Sequence, residues 1–217
     1  MSRRGVLFDL DGTLVDSIPD LTQSIDEMLT ALGRPRTQPG AVRTWVGHGL
    51  QNLVERALGS DADFDRAYEV FKARYAHNNG RLSRPYPHAR ALLEKCRAAG
   101  FAVGLVTNKA AAFTHPLLAH VGWEGLFDVV VSGDTAAAKK PDPAPVLHAL
   151  AVLRLDPEAA VLVGDSISDV EAGRRARLRG VYAVSYGYNH GQPLDPSQVE
   201  AVVDDLEALE PLLGLSR

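Results

Sequence analysis

The amino-acid sequence predicts an α/β fold: a doubly wound parallel sheet with a smaller all-helical domain inserted after the first strand. Three observations carry this reading. Short apolar runs without clean polar alternation recur along most of the chain, as in strands covered by helices on both sheet faces. Segments of helical periodicity separate those runs, so strand and helix alternate. The stretch from Ser17 to about Leu82 breaks the alternation, with helical periodicity and no convincing strand.

The first apolar run, Gly5 to Leu10, leads directly into "LFDLDGTLVDS". In the inserted stretch, Leu21, Ile25, Met28, Leu29 and Leu32 recur at helical spacing before Gly33, and Phe64, Tyr68, Phe71 and Tyr75 do so later. The flanking segments "DSIPD" and "RLSRPYPHA" read as hinges of a lid. The expected division is a core of residues 1–16 and 83–217 and a helical cap of residues 17–82. A helix over Ala89 to Ala99 closes at Gly100. Strands are then expected at Ala102 to Thr107, Phe127 to Ser132, Ala160 to Gly164 and Val181 to Val184. Between them fall helices over Ala110 to His120, Pro143 to Leu153 and Ile167 to Ala176. There is no internal repeat, and the Ala-rich "TAAAKK" is too short to count as low complexity.

At 217 residues, 46% hydrophobic and 23% charged, the chain has the composition of an ordinary globular protein with a sizeable core. A net charge of −4, with a pI near 6.0, provides no field to gather nucleic acid or an anionic membrane. The expected partner is therefore a small ligand, with no nucleic acid and no membrane, and the chain is expected to be a monomer or homodimer. Cys96 is the single cysteine, which excludes a disulfide framework, and no CxxC or HExxH spacing points to zinc or iron. In the helical setting "ALLEKCRAAG" it reads as a buried, inert thiol. The apolar run near the N-terminus breaks at Asp9, too short for a signal peptide or a membrane span, so a cytoplasmic location is expected. Trp45, Trp123, Tyr186 and Tyr188 read as packing or interface residues.

Open α/β sheets bind ligands beyond the carboxyl ends of their strands. The residues at those ends are Asp9, Asp11, Gly12 and Thr13; Thr107, Asn108 and Lys109; Ser132, Gly133 and Asp134, followed by Lys139 and Lys140; and Gly164, Asp165 and Ser166, with Asp169 beyond. One rim thus collects carboxylates, a hydroxyl, an amide and ammonium groups. A single aspartate before glycine reads as a solvated turn. Asp9 and Asp11, two apart on a strand end, aim to the same side. Desolvating such a pair costs several kcal/mol unless a cation or hydrogen-bond donors meet it. Hard oxygen ligands without thiolate or clustered imidazole suit Mg²⁺, with Asp165 completing the cage. Beside a metal, the Thr107 hydroxyl, the Asn108 amide and the Lys140 ammonium are the donors a phosphate group needs. Lys139 competes with Lys140, which is favoured because Pro141 restricts its backbone to extended geometry.

The stations "DLDGTLVDS", "LVTNK", "KKPDP" and "VGDSISD" resemble, in order, the motifs of the haloacid dehalogenase superfamily of phosphatases, and the helical insertion resembles its type 1 cap. The resemblance implies that Asp9 attacks phosphorus and becomes an aspartyl phosphate. It implies that Asp11 protonates the leaving alkoxide and then deprotonates water, and that Thr107 and Lys140 hold the phosphoryl group. Asp9, the Asp11 backbone carbonyl and Asp165 would ligate Mg²⁺, with Asp169 orienting that shell. The tail "AVSYGYNHGQPLDPS", the cap segment "RTWVGHGLQNLV" and "KKPDPAPVLHAL" resemble bacterial phosphoglycolate phosphatases, which implies 2-phosphoglycolate as substrate. One departure is His88 in "YPHA", where glycine is usual.

A substrate carboxylate calls for a cation from the cap, for which Arg43, His48 and Arg56 are the candidates, and Gly47 and Gly49 around His48 point to close backbone approach. Other reactions remain open on the same motifs: a sugar-phosphate phosphatase, a pyrophosphatase or a phosphomutase. A phospho-acceptor signalling domain leaves the helical insertion without a role, and a 2-haloacid dehalogenase has no use for Asp11 and the metal cage.

Overall fold

The computed structural model describes residues 3–59 and 63–215. In chain order the strands are β1 (Gly5–Phe8), β2 (Val15–Asp16), β3 (Arg84–Pro85), β4 (Ala102–Val106), β5 (Val129–Val131), β6 (Ala160–Gly164), β7 (Gly180–Val184) and β8 (Ala201–Val203). The α-helices are α1 (Ile18–Ala31), α2 (Leu50–Leu58), α3 (Phe64–Asn78), α4 (Ala89–Ala98), α5 (Ala111–His120), α6 (Ala144–Leu153), α7 (Ile167–Arg175) and α8 (Leu209–Leu213). Six strands form one parallel sheet in the order β5-β4-β1-β6-β7-β8. The chain starts at the centre of the sheet, winds outward through β4 and β5, then returns to build β6, β7 and β8 on the other side. The carboxyl end of β1, flanked by β4 and β6, therefore sits at the reversal point where open sheets bind ligands.

Alternate residues of the sheet feed two cores. Val6 and Phe8, with Val103, Leu105, Val161 and Val163, pack against Leu92, Leu93 and Cys96 of α4, Leu117 of α5 and Leu209 of α8. Leu7, Val106 and Leu162 face the other way, toward Val146 and Leu150 of α6 and Val170 of α7. Helices α1, α2 and α3 make a third core, in which Leu21, Ile25, Met28 and Leu29 meet Leu53, Val54, Phe71 and Tyr75, and the core residues Phe113 and Tyr188 join it. Each such aliphatic side chain contributes roughly 2 kcal/mol by leaving water.

Strand β1 is shorter than the expected Gly5 to Leu10. Asp9 N still donates to Val163 O at 2.9 Å, but the Leu10 carbonyl turns back to accept from Thr13, Leu14 and Val15. Expected Phe127 to Ser132 is likewise trimmed to β5: Asp128 N still donates to Val103 O at 2.7 Å, but Ser132 N turns to the Thr135 hydroxyl at 3.0 Å. Strand β8 and helix α8 lie beyond the last expected element; β8 is three apolar residues amid polar sequence and carries little periodic signal, and α8 is only five residues long.

The two segments read as hinges are tied together. Val15 pairs with Pro85 and Asp16 with Arg84 in a two-residue antiparallel ribbon. Beside it, the buried Asp20 carboxylate accepts from Gly80 N at 2.7 Å, Leu82 N at 2.7 Å, Ser83 N at 3.0 Å and the Ser83 hydroxyl. A charge that is costly to bury is stable here because backbone donors surround it. His88, at φ +63°, occupies the left-handed region that glycine adopts without strain, and its Nδ1 lies 2.6 Å from Asp205 Oδ1.

Candidate active site

Residues from both the sheet and the helical insertion line one cleft at the carboxyl ends of β1, β4 and β6. Its polar side comprises Asp9, Asp11, Thr107, Asn108, Lys109, Lys140, Asp165 and Asp169; its apolar side is Leu21, Val46, Leu50 and Leu53. Lys140 Nζ donates to Asp9 Oδ1 at 2.7 Å, to Asp169 Oδ1 at 2.6 Å and to the Val106 carbonyl at 2.6 Å. Asp169 is also part of the start of α7: its Oδ2 accepts from Ser166 N at 3.1 Å, and the Ser166 side chain completes the reciprocal capping box. Asp165 accepts from Tyr188 N at 2.6 Å and from the Thr13 hydroxyl at 3.4 Å. Gly12, at φ +93°, passes so close that a Cβ there would lie 2.5 Å from Asp165 Oδ2. Only glycine fits that approach.

Carboxylate oxygens of Asp9, Asp165 and Asp169 lie within 4.8 Å of one another, and all three residues are buried. Among the described residues, Lys140 is the ammonium paired with this group, and it reaches Asp9 and Asp169, so the three carboxylates outnumber the positive charge that meets them. Burial pushes the Asp9 carboxyl up from its usual 3.8 to about 7, with Lys140 opposing and Asp169 reinforcing the rise. Burial also drives Asp165 well above the usual range, helped by Asp169 and Asp9. Burial works against the charge on Lys140, but Asp169 and Asp9 outweigh it and hold the ammonium above its ordinary value. An oxygen-only donor set with unmet negative charge fits a hard divalent cation.

Lys140, not Lys139, makes these contacts, and Asn108 holds its backbone in place. Its Oδ1 accepts from Lys140 N, and its Nδ2 donates to Lys140 O and to Gly47 O, each at 2.9 Å. Both amide hydrogens are thereby committed, so Asn108 clamps the Lys140 backbone and ties the insertion to the sheet rather than offering donors to a ligand. Lys139 is exposed beside Gly49. The Thr107 hydroxyl accepts from Lys109 N at 3.2 Å and donates to no described residue.

The candidate cap cations are elsewhere. Arg43 donates to the carbonyls of Tyr186 and Gly187 and lies over the Tyr188 ring at 5.0 Å. Arg56 donates to Thr44 O at 3.1 Å. His48 is exposed, and Arg43, His48 and Arg56 are all absent from the cleft lining. The positively charged side chains that do line it are Lys109 and Lys140. Lys109 had no assigned role in the sequence, yet its Nζ reaches both oxygens of Asp11. Tyr188, read as packing, donates to Asp16 Oδ1 and accepts from Ser17 N, both at 2.8 Å. Neither pairing has a local signal, since the partners are far apart in sequence.

The family model of haloacid dehalogenase-like hydrolases matches residues 6–183. A phosphoglycolate phosphatase of Nitrosococcus oceani is 44% identical over 216 residues, spanning 96% of both chains. One of Psychrobacter arcticus is 40% identical over 219 residues, spanning 96% of this chain and 95% of the relative. The crystal structure of a predicted phosphoglycolate phosphatase from Haemophilus somnus superposes with a TM-score of 0.92 at 31% identity, over 97% of this chain and 98% of that one. With its sheet order, its strand-end carboxylates and these similarities, the chain belongs to the haloacid dehalogenase-like hydrolase family.

Proposed function

We propose that the protein is a Mg²⁺-dependent phosphatase that hydrolyses a small phosphate monoester, 2-phosphoglycolate, to glycolate and phosphate through an aspartyl phosphate on Asp9. The observation that carries this reading is the convergence of the Asp9, Asp165 and Asp169 carboxylates around Lys140 at the reversal point of the sheet. Asp9 and Asp165 would hold the ion together with the Asp11 backbone carbonyl, and Asp169 would orient that group. When bound, Mg²⁺ would neutralise charge developing on the phosphoryl oxygens.

The residues of the chain do the rest. An oxygen of Asp9 attacks phosphorus as the bond to the ester oxygen breaks, and the departing oxygen takes a proton from Asp11. Asp11 then takes a proton from water, whose oxygen attacks the same phosphorus; the bond to Asp9 breaks and inorganic phosphate leaves. Splitting the hydrolysis in two replaces one hard step by two easier ones. Lys140 and the Thr107 hydroxyl meet the phosphoryl oxygens throughout. Residues 17–82 act as the lid over a core of residues 1–16 and 83–217. The apolar wall of Leu21, Val46, Leu50 and Leu53 suits a substrate with little bulk beyond its phosphate. The choice of 2-phosphoglycolate is supported by the activity named for the relatives from N. oceani and P. arcticus.

A panel of sugar phosphates, pyrophosphate, nucleotides and 2-phosphoglycolate, ranked by kcat/KM with and without Mg²⁺, tests this reading. The expected result is Mg²⁺-dependent phosphate release with 2-phosphoglycolate first. Undiminished release in excess chelator would end the metal assignment, and a sugar phosphate at the head of the ranking would replace the substrate.

A further inference from the structure

Lys109 has no part in the steps above, yet it is among the most deliberately placed groups in the molecule. Its side chain is 1% exposed, and its Nζ donates to Asp11 Oδ1 at 3.1 Å and Oδ2 at 3.2 Å. A third donation, to the Tyr75 hydroxyl, is short, and the ammonium also lies 4.9 Å from the centre of the Tyr75 ring. The Lys109 backbone is held equally firmly: its N–H donates to the Thr107 hydroxyl, while its carbonyl accepts from Gly133 N at 2.7 Å and from the Thr114 hydroxyl at 3.1 Å. Burial opposes the charge on Lys109, but Asp11 and Tyr75 outweigh it and keep the ammonium above its ordinary value.

Two features of the placement matter. The Asp11 carboxylate stands outside the group formed by Asp9, Asp165 and Asp169, although it is only two residues from Asp9. Lys109 is the partner that holds it there. Tyr75, moreover, belongs to α3 of the insertion, where its fully buried ring stacks on Phe71 at 5.5 Å and meets Phe113 of the core at 4.9 Å. Its hydroxyl reaches Lys109 only when the helical insertion is docked on the sheet.

We infer that Lys109 is the positioning residue for the proton-transfer carboxylate Asp11, and that Tyr75 makes this hold conditional on docking of the cap. Lys109 keeps Asp11 out of the carboxylate cluster and facing the cleft, and its ammonium meets the negative charge that develops on Asp11 as the proton passes to the departing oxygen. A cap away from the core would leave Lys109 with one partner fewer and Asp11 less firmly oriented, so that proton transfer would be matched to an occupied, closed cleft. The inference rests on the reading of Asp11 as the acid and base of the proposed phosphatase.

The test is leaving-group dependence. An alkyl ester such as 2-phosphoglycolate needs a proton at its departing oxygen, whereas p-nitrophenyl phosphate does not. For Lys109→Met the expectation is a kcat/KM lowered about 100-fold on the alkyl ester and less than about tenfold on p-nitrophenyl phosphate, within the range of general acid catalysis. Tyr75→Phe should show the same selectivity on a smaller scale, about threefold to tenfold. In an Asp11→Asn background, Lys109→Met should cost little more, because both changes remove one function. Equal losses on both esters, additive losses in the double variant, or a change confined to KM for 2-phosphoglycolate would overturn the inference; the last would make Lys109 a substrate-carboxylate ligand. Should Lys109→Met fail to fold, Tyr75→Phe decides: no leaving-group selectivity overturns the inference. If Asp11→Asn itself shows none, the acid–base reading of Asp11 fails, whatever Lys109 does.

Discussion

The rim of the sheet and the root of the helical insertion both bury aspartates, and they do so in opposite ways. At the root, Asp20 is enclosed by three backbone N–H groups and a hydroxyl, all donating. At the rim, three carboxylates crowd together: Asp9 and Asp169 share the Lys140 ammonium, Asp165 accepts from Tyr188 N and the Thr13 hydroxyl, and Asp9 and Asp165 are pushed toward the neutral form. The first is a joint whose charge is fully met by the chain. The second is a site held in deficit, which a divalent ion and a phosphoryl group would complete. Burial alone therefore says nothing about role; whether a buried carboxylate stands alone among its donors or crowds against others does.

The largest effect that would sharpen this contrast is at Asp9. Asp9→Asn should lower kcat by at least about 10⁴-fold, the scale of losing a covalent nucleophile, while leaving the metal-free protein as stable or more so. The sign follows from the raised value. Between pH 3.8 and about 7 the folded protein binds the extra proton, so the wild type loses stability across that window as pH rises. Chemical unfolding at several pH values should show that this slope is reduced in Asp9→Asn, and a clear loss of stability in the variant would erase the distinction between the two regions. Next comes Asp20→Ala, which strands four donors and should cost about 3 kcal/mol in urea unfolding. A cost below about 1 kcal/mol would break the comparison from the other side.

The smallest effect extends the contrast to an exposed pair, His88 and Asp205. The hydrogen bond and charge of Asp205 raise the His88 value above 6.5, and the same bond lowers that of Asp205. The stabilisation through His88 is therefore complete below pH 6.5 and disappears as pH rises through its raised value. Asp205→Asn should accordingly destabilise more at pH 5.5 than at pH 8.5; equal shifts at both would show that the pair contributes nothing electrostatic.

Much of the molecule was legible in the sequence because it is written in short-range pattern. The apolar runs and helical periods located the strands and helices around the site, and the strand-end residues named most of the polar groups that converge in the cleft. The elements that escaped carry weak local signal: the ribbon of β2 and β3 and strand β8 have two or three residues each. Among the site residues, Asn108 and Arg43 were read as donors for a ligand because their chemistry suits one. Their hydrogen bonds go instead to Lys140, Gly47, Tyr186 and Gly187. Composition lists what a side chain can donate, and only its neighbours determine where the donation goes.

By itself the sequence determined the alternation of strand and helix and the interruption that becomes the insertion; the period of two expected for Asp9 and Asp11 does not hold, because β1 ends at Phe8 and the Asp11 carboxylate goes to Lys109. The alternation and the interruption depend on periodicity over a few residues, which the chain carries wherever it folds. Tertiary structure alone decided which lysine meets which carboxylate. Lys140 reaches Asp9 across 131 positions and Lys109 reaches Asp11 across 98. Such pairs form only where the fold has brought distant partners together, with an attraction strong enough to outweigh the cost of burying both charges, and no local pattern encodes that.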